Sequence, residues 1–169
     1  LPPYSPPLRY KTGALKTENV SSTSKSISTL LQDYRSASSP IVHIVHDTPS
    51  GAPIFTPDTE LASIFDELKP KDSEKTIHKS YPGAFTDTDL QEYLQSTGKK
   101  QVVLTGYMAH VCVSTTARQA HEKGYDVILA EGAVGDRDIP GVEAKDVVRV
   151  VLAELNETFG TVVKAEEIK

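Results

Sequence analysis

Cys112 is the only thiol in the 169 residues. A thiolate attacks electrophilic carbon, whereas an un-ionised cysteine behaves as a small apolar side chain that packs in cores. Position bears on the choice. Cys112 follows the apolar run Gln101-Val102-Val103-Leu104-Thr105 by one turn and directly precedes residues patterned as a helix over 113–123. Amides at a helix start have no intrahelical partner and point at whatever lies in front of them. The helix dipole favours negative charge at the same end. Both effects favour a thiolate, and the same amides can hold an oxyanion during acyl transfer. His110, in the same turn, is either a pocket-lining group or an exposed loop histidine. His43, His46 and Asp47 have metal-ligating side chains. Two strand residues three apart point to opposite faces, so His43 and His46 are poor joint ligands, and no metal site is expected. No Gly-x-Gly-x-x-Gly and no P-loop occurs, so no cofactor is expected.

The elements that must hold Cys112 alternate. Ile27, Leu30, Leu31 and Tyr34 form a helical stripe, with one of the serines at 21–24 expected as its cap. Residues 41–46 read as a buried parallel strand. A short helix is expected around 60–67, and Lys75-Thr76-Ile77-His78 reads as a brief strand. Thr88 or Asp89 is placed to cap a helix carrying Leu90, Tyr93 and Leu94 that stops near Gly98. A strand over 101–105 and a helix over 113–123 follow, with Gly124 as C′ residue. Tyr125-Asp126-Val127-Ile128-Leu129-Ala130 is the next strand, and residues 132–141 are a loop in which Asp136-Arg137-Asp138 reads as charged. A helix over 142–157 turns Val147, Val148, Val151, Leu152 and Leu155 inward, and Thr161-Val162-Val163 closes the chain as a strand. This alternation predicts a three-layer α/β/α domain with a mostly parallel sheet. In such sheets ligands sit outside the carboxyl ends of the strands, where Cys112 falls.

The stretch from Val102 through Thr105-Gly106-Tyr107-Met108-Ala109-His110-Val111-Cys112-Val113-Ser114-Thr115-Thr116-Ala117-Arg118 to Ala120 resembles the nucleophile segment of the isochorismatase-like cysteine hydrolases. That superfamily includes nicotinamidases, N-carbamoylsarcosine amidases and isochorismatases. A second segment, Lys79-Ser80-Tyr81-Pro82-Gly83-Ala84-Phe85-Thr86-Asp87-Thr88-Asp89-Leu90, resembles the family's Lys-x-x-x-x-Ala-Phe-x-x-Thr-x-Leu pattern. The likeness runs from about Gly13 to the C-terminus. It implies Cys112 as nucleophile and Lys79 as its catalytic partner, a lysine that by residue type alone reads as a surface charge. It also implies a cis peptide between Tyr107 and Met108 that sets the Met108 amide beside the Cys112 amide as an oxyanion hole. Tyr107 and His110 are then the expected substrate-pocket residues. Gly132 stands where relatives commonly have Asp. The implied activity is hydrolysis of a small amide-like or vinyl-ether substrate.

The resemblance also implies an Asp at the end of a first, central strand. No aliphatic run precedes Gly13, and no acidic residue precedes Glu18. The first seven residues contain Pro2, Pro3, Pro6 and Pro7, and proline cannot donate within a central strand. Residues 1–12 are therefore expected to form an extended arm, ahead of a hydrolase domain over 13–169. Loss of a central strand should leave a gap between its neighbours. Three readings stay open: an incomplete or alternatively spliced product, a catalytically impaired binding or scaffold protein, or an enzyme in which another carboxylate, with Asp47 nearest, takes the role. A redox-responsive thiol would lack a resolving cysteine within the chain.

Length suits one domain with a core of its own. Eighteen basic and 23 acidic side chains give a net charge of -5, with a pI near 5.5, which argues against a nucleic-acid partner. No apolar run approaches the roughly 20 residues of a membrane span. The opening residues lack the basic and apolar regions of a signal peptide. The expectation is a cytoplasmic protein with a small-molecule substrate, no nucleic-acid or membrane partner, and a homo-oligomeric state.

Overall fold

The computed structural model describes residues 16–52, 55–56 and 64–169. Helix α1 spans Val20–Ser36 and is followed by strand β1, Val42–His46, a 3₁₀ turn at Asp66–Leu68, and β2, Lys75–Lys79. Then come α2, Leu90–Thr97, β3, Gln101–Gly106, a π-helical turn at Ala109–Val113, and α3, Ser114–Glu122. The chain ends with β4, Asp126–Val134, α4, Ala144–Thr158, β5, Thr161–Lys164, and a 3₁₀ turn at Ala165–Glu167. All paired strands run parallel, β1 with β2 and β3-β4-β5 in that order.

Strand β4 shows why helices cover both faces. Successive side chains of a strand alternate between faces. Val127 and Leu129 pack with Ala117, Ala120, Val147, Val151, Leu152 and Leu155 of α3 and α4. Ala130 and Ala133 pack with Leu30 of α1 on the other face. Leu129 and Leu155 are fully buried, each stabilising the fold by about 1.5–3 kcal/mol. The α/β/α architecture expected from the alternation is the one observed.

Several local expectations are corrected. Asn19, in a left-handed conformation at φ 54°, occupies the N-cap of α1, and the serines at 21, 22 and 24 lie inside the helix. Ser22 Oγ instead donates to the Asn19 carbonyl at 2.9 Å. The helix expected around 60–67 falls partly on residues outside those described, and its described end is the 3₁₀ turn Asp66–Leu68. The arm over 1–12 also lies outside them. Strand β4 continues to Val134, past the point where a loop was expected. It does so through a bulge: Leu104 faces Leu129, but Gly106 faces Val134. Gly132, at φ 85°, sits in that bulge near Ser26 of α1.

Among the described residues β1 pairs only with β2, and β3 only with β4. The facing strands line one cavity of about 860 Å³. Lys79, at the end of β2, and Cys112, in the π-helical turn, open onto it.

Candidate active site

Lys79 ends β2, the outer strand of its pair, yet it is only 6% exposed. Its Nζ donates to the carbonyls of Tyr81 at 2.6 Å and Pro82 at 2.8 Å. It also lies 3.1 Å from His46 Nδ1 and 3.5 Å from Cys112 Sγ. The turn that supplies the two carbonyls is held on α3. Ala84 N donates to Thr116 Oγ1 at 3.1 Å, and Phe85 N donates to Gln119 Oε1 at 3.3 Å. A Cβ at Gly83 would overlap the Gln119 amide, so glycine is what allows this approach.

Burial pushes the Lys79 amine below its ordinary pKa, and the charge of a Cys112 thiolate pulls it back up. His46 is likewise held below its ordinary pKa, first by burial and then by the positive charge of Lys79, while Asp47 acts in the opposite sense. Burial and the Lys79 charge thus both favour the neutral imidazole. The ring stacks on Phe55 with centroids 4.9 Å apart.

Cys112 lies within the π-helical turn, and α3 starts two residues later at Ser114. The sequence pattern had placed the helix directly after the cysteine. The turn is held by Ala109 N donating to Gly135 O at 3.0 Å, and by Val111 N and Val113 N both donating to Met108 O. π-helical turns insert an extra residue into a helical ladder and are frequent at functional sites. The Tyr107–Met108 peptide bond is cis. Gly135 packs against Tyr107: an added Cβ would stand 2.6 Å from the ring carbon Cε1.

Of the residues singled out from sequence, the structure brings together Cys112, Lys79 and Tyr107 on the cavity wall. His110 does not line it. Its Nδ1 is 2.7 Å from Asp136 Oδ2, and the Asp136 side chain is wholly buried. The segment 136–138 is more than a charged loop, because Asp138 Oδ1 also accepts from Ala144 N at 2.8 Å at the start of α4. Asp47 turns to the exposed His78, 2.7 Å away, instead of Cys112. His43 pairs with Glu74 at 2.7 Å, on a different partner from His46, as strand alternation required. Sequence reasoning missed His46 as a neighbour of Lys79 and Asp136 as the anchor of the turn. The signal for His46 was its place at the last position of β1, level with Lys79 in the parallel register.

Residues 9–167 match the isochorismatase domain family. The chain belongs to the isochorismatase family. It is 58% identical over 159 residues, 94% of this chain and 84% of the other, to the secreted isochorismatase effector Isc1 of Verticillium dahliae. It is 32% identical over 111 residues to an N-carbamoylsarcosine amidase from Arthrobacter, covering 66% of this chain and 40% of that one. The crystal structure of an isochorismatase from Pseudomonas putida superposes with a TM-score of 0.92 at 29% identity, over 98% of this chain and 87% of that one.

These relatives correct one expectation. The cytoplasmic assignment is overturned by the similarity to a secreted family member. The features behind it, a single cysteine and the absence of a leader-like opening, do not determine compartment. A domain with a core this size needs no disulfides on either side of a membrane.

Proposed function

We propose that this family member is a hydrolase in which Cys112 is the nucleophile and Lys79 holds it as a thiolate beside a small substrate in the cavity. The observation that supports this reading is the 3.5 Å approach of the buried Lys79 Nζ to Cys112 Sγ on a shared cavity wall. An ammonium desolvated beside sulfur stabilises the anion more strongly than it would in water.

For an amide, Sγ attacks the carbonyl carbon and the C–N bond breaks. The amine leaves with a proton, and water then cleaves the thioester. The amides of Ala109, His110, Val111 and Val113 are committed within the protein, and the reading gives those of Met108 and Cys112 to the oxyanion. For a vinyl ether, the bond broken is C–O: a proton is delivered to the methylene carbon and water attacks the ether carbon. The relative called an isochorismatase effector makes isochorismate the first substrate to test, and the amidase relative makes carbamoyl compounds the second. Action outside the producing cell is part of the proposal, on the strength of the 58% identity to a secreted relative. Finding the protein only inside cells would count against that part.

A second reading has its own observation. Among the described residues, none of the four groups around Lys79 Nζ is a carboxylate. A general base contributes roughly 10²–10⁴-fold, so a domain without one can retain binding and lose turnover. A panel of isochorismate, nicotinamide and carbamoyl substrates, run on the protein with and without Cys112→Ser, separates the two. Turnover that disappears in the variant supports the hydrolase. Equal turnover by both proteins rejects Cys112 as the nucleophile, and no turnover by either favours binding.

A further inference from the structure

Among the described residues four groups surround Lys79 Nζ, and an ammonium has three N–H bonds. The carbonyls of Tyr81 and Pro82 can only accept, and at 2.6 and 2.8 Å they take two. One position remains for both His46 Nδ1 at 3.1 Å and Cys112 Sγ at 3.5 Å. The lysine thus stands between the imidazole and the sulfur, in contact with both. His46 is fixed for that exchange. Its strand pairs in register with β2 so that it stands opposite Lys79, and its ring stacks on Phe55. Among the described residues, the charges acting on it are Lys79 on β2 and Asp47 next to it in the chain, and Cys112 reaches the same Lys79 Nζ from the π-helical turn.

We propose that His46 is the proton acceptor for Cys112, working through Lys79. Nζ passes its third proton to His46 Nδ1, and the lone pair this frees on Nζ takes the proton as the Sγ–H bond breaks. The products are a thiolate and an imidazolium, the ammonium is unchanged, and no net charge is created. The reverse transfer returns the proton for the leaving group. His46 acts through Lys79 and so is a positioning residue that also stores the proton. This assigns to a histidine a role for which, among the described residues, no carboxylate contacts Lys79 Nζ, and it rests on the nucleophile reading of Cys112.

The test is the rate of iodoacetamide alkylation of Cys112 in the full chain, followed by intact mass between about pH 6 and about pH 9, where thiolate fractions change. Wild type is compared with His46→Gln, Lys79→Met and His46→Ala with and without added imidazole. Gln retains a hydrogen-bond acceptor but holds no proton. The expected result is an alkylation rate lower by about tenfold for His46→Gln near neutral pH, converging with wild type at the alkaline end, a modest value for acid–base assistance. Imidazole should restore the His46→Ala rate. A His46→Gln profile that superimposes on wild type while Lys79→Met reacts slowly overturns the relay and leaves the nucleophile reading intact. Wild type reacting no faster than N-acetylcysteine overturns both.

Discussion

One oxygen of Asp136 accepts twice from His110, from the backbone amide at 2.9 Å and at 2.7 Å from the imidazole Nδ1. The other oxygen accepts from Arg137 N at 2.8 Å. A wholly buried carboxylate is thereby satisfied by three donors from the chain around it. Two of those donors belong to the turn that carries Cys112, so the carboxylate fixes the backbone of that turn.

Asp136→Asn tests that anchor. The amide group cannot accept from both His110 donors and Arg137 at once, which leaves a buried donor unmet. A destabilisation of about 2–3 kcal/mol is expected in urea unfolding, together with slower alkylation of Cys112. A variant as stable as wild type would show that the carboxylate is not what holds the turn.

Gly135 is the second support of the same turn. Ala at this position would put its methyl into the Tyr107 ring, and neither a ring edge nor the backbone around it yields cheaply. Gly135→Ala should lose about 1–3 kcal/mol of stability and most of its turnover, because the displaced ring flanks the Met108 amide. Gly51, whose Cβ direction is open but whose φ is 84°, serves as a comparison for strain alone. Equal activity losses at the two sites would argue against a specific role for the Tyr107 contact.

Acid stability should depend on the ion pair that ties α1 to β2. Arg35 contacts Glu74 at 2.7 and 2.9 Å, and both side chains are nearly buried. The Arg35 hydrogen bond, outweighing burial, pulls the Glu74 carboxyl from 4.5 to about 2. A depressed carboxyl stabilises the fold above its unfolded pKa, and that contribution is lost as pH falls from about 4.5 through about 2. Arg35→Met should flatten this acid limb and cost about 3 kcal/mol at neutral pH, since it strands a buried carboxylate. Parallel wild-type and variant stability curves over that range would contradict it.

His46 contributes an acid limb at higher pH. Its pKa is lowered from 6.5 on folding, so the unfolded chain binds the proton more readily. Stability therefore rises with pH through this region, and it falls as pH drops below about 6.5 toward the folded value. His46→Gln should remove that slope while leaving neutral-pH stability nearly unchanged. Chemical denaturation at several pH values measures both quantities, and an unaltered slope would mean that the histidine is not held neutral by its surroundings.

Much of this architecture is legible in the chain itself. The periods of β3, α3, β4 and α4 are plain in the chain, because each element must turn apolar residues such as Val127, Leu129, Val147 and Leu155 toward one interior. Cys112 was placed correctly between a strand and a helix by the same local pattern. The π-helical turn was not legible. It depends on Met108 O receiving two amides and on Gly135 and Asp136 arriving from the end of β4 through a three-dimensional bulge. Nor could periodicity distinguish His46 from Asp47. Both are polar residues at a strand end, and only the register with β2 shows that the histidine meets Lys79 while the carboxylate turns to His78.

Sequence alone determined where the main helices and strands lie and which of their faces are apolar, because those choices are set within a few residues by backbone geometry and the drive to bury hydrocarbon. Tertiary structure decided which polar groups are buried and what they meet. Lys79 lies 33 residues from both His46 and Cys112 along the chain, and the shifts of Lys79 and His46 depend on desolvation and charge that exist only once the chain has closed around them.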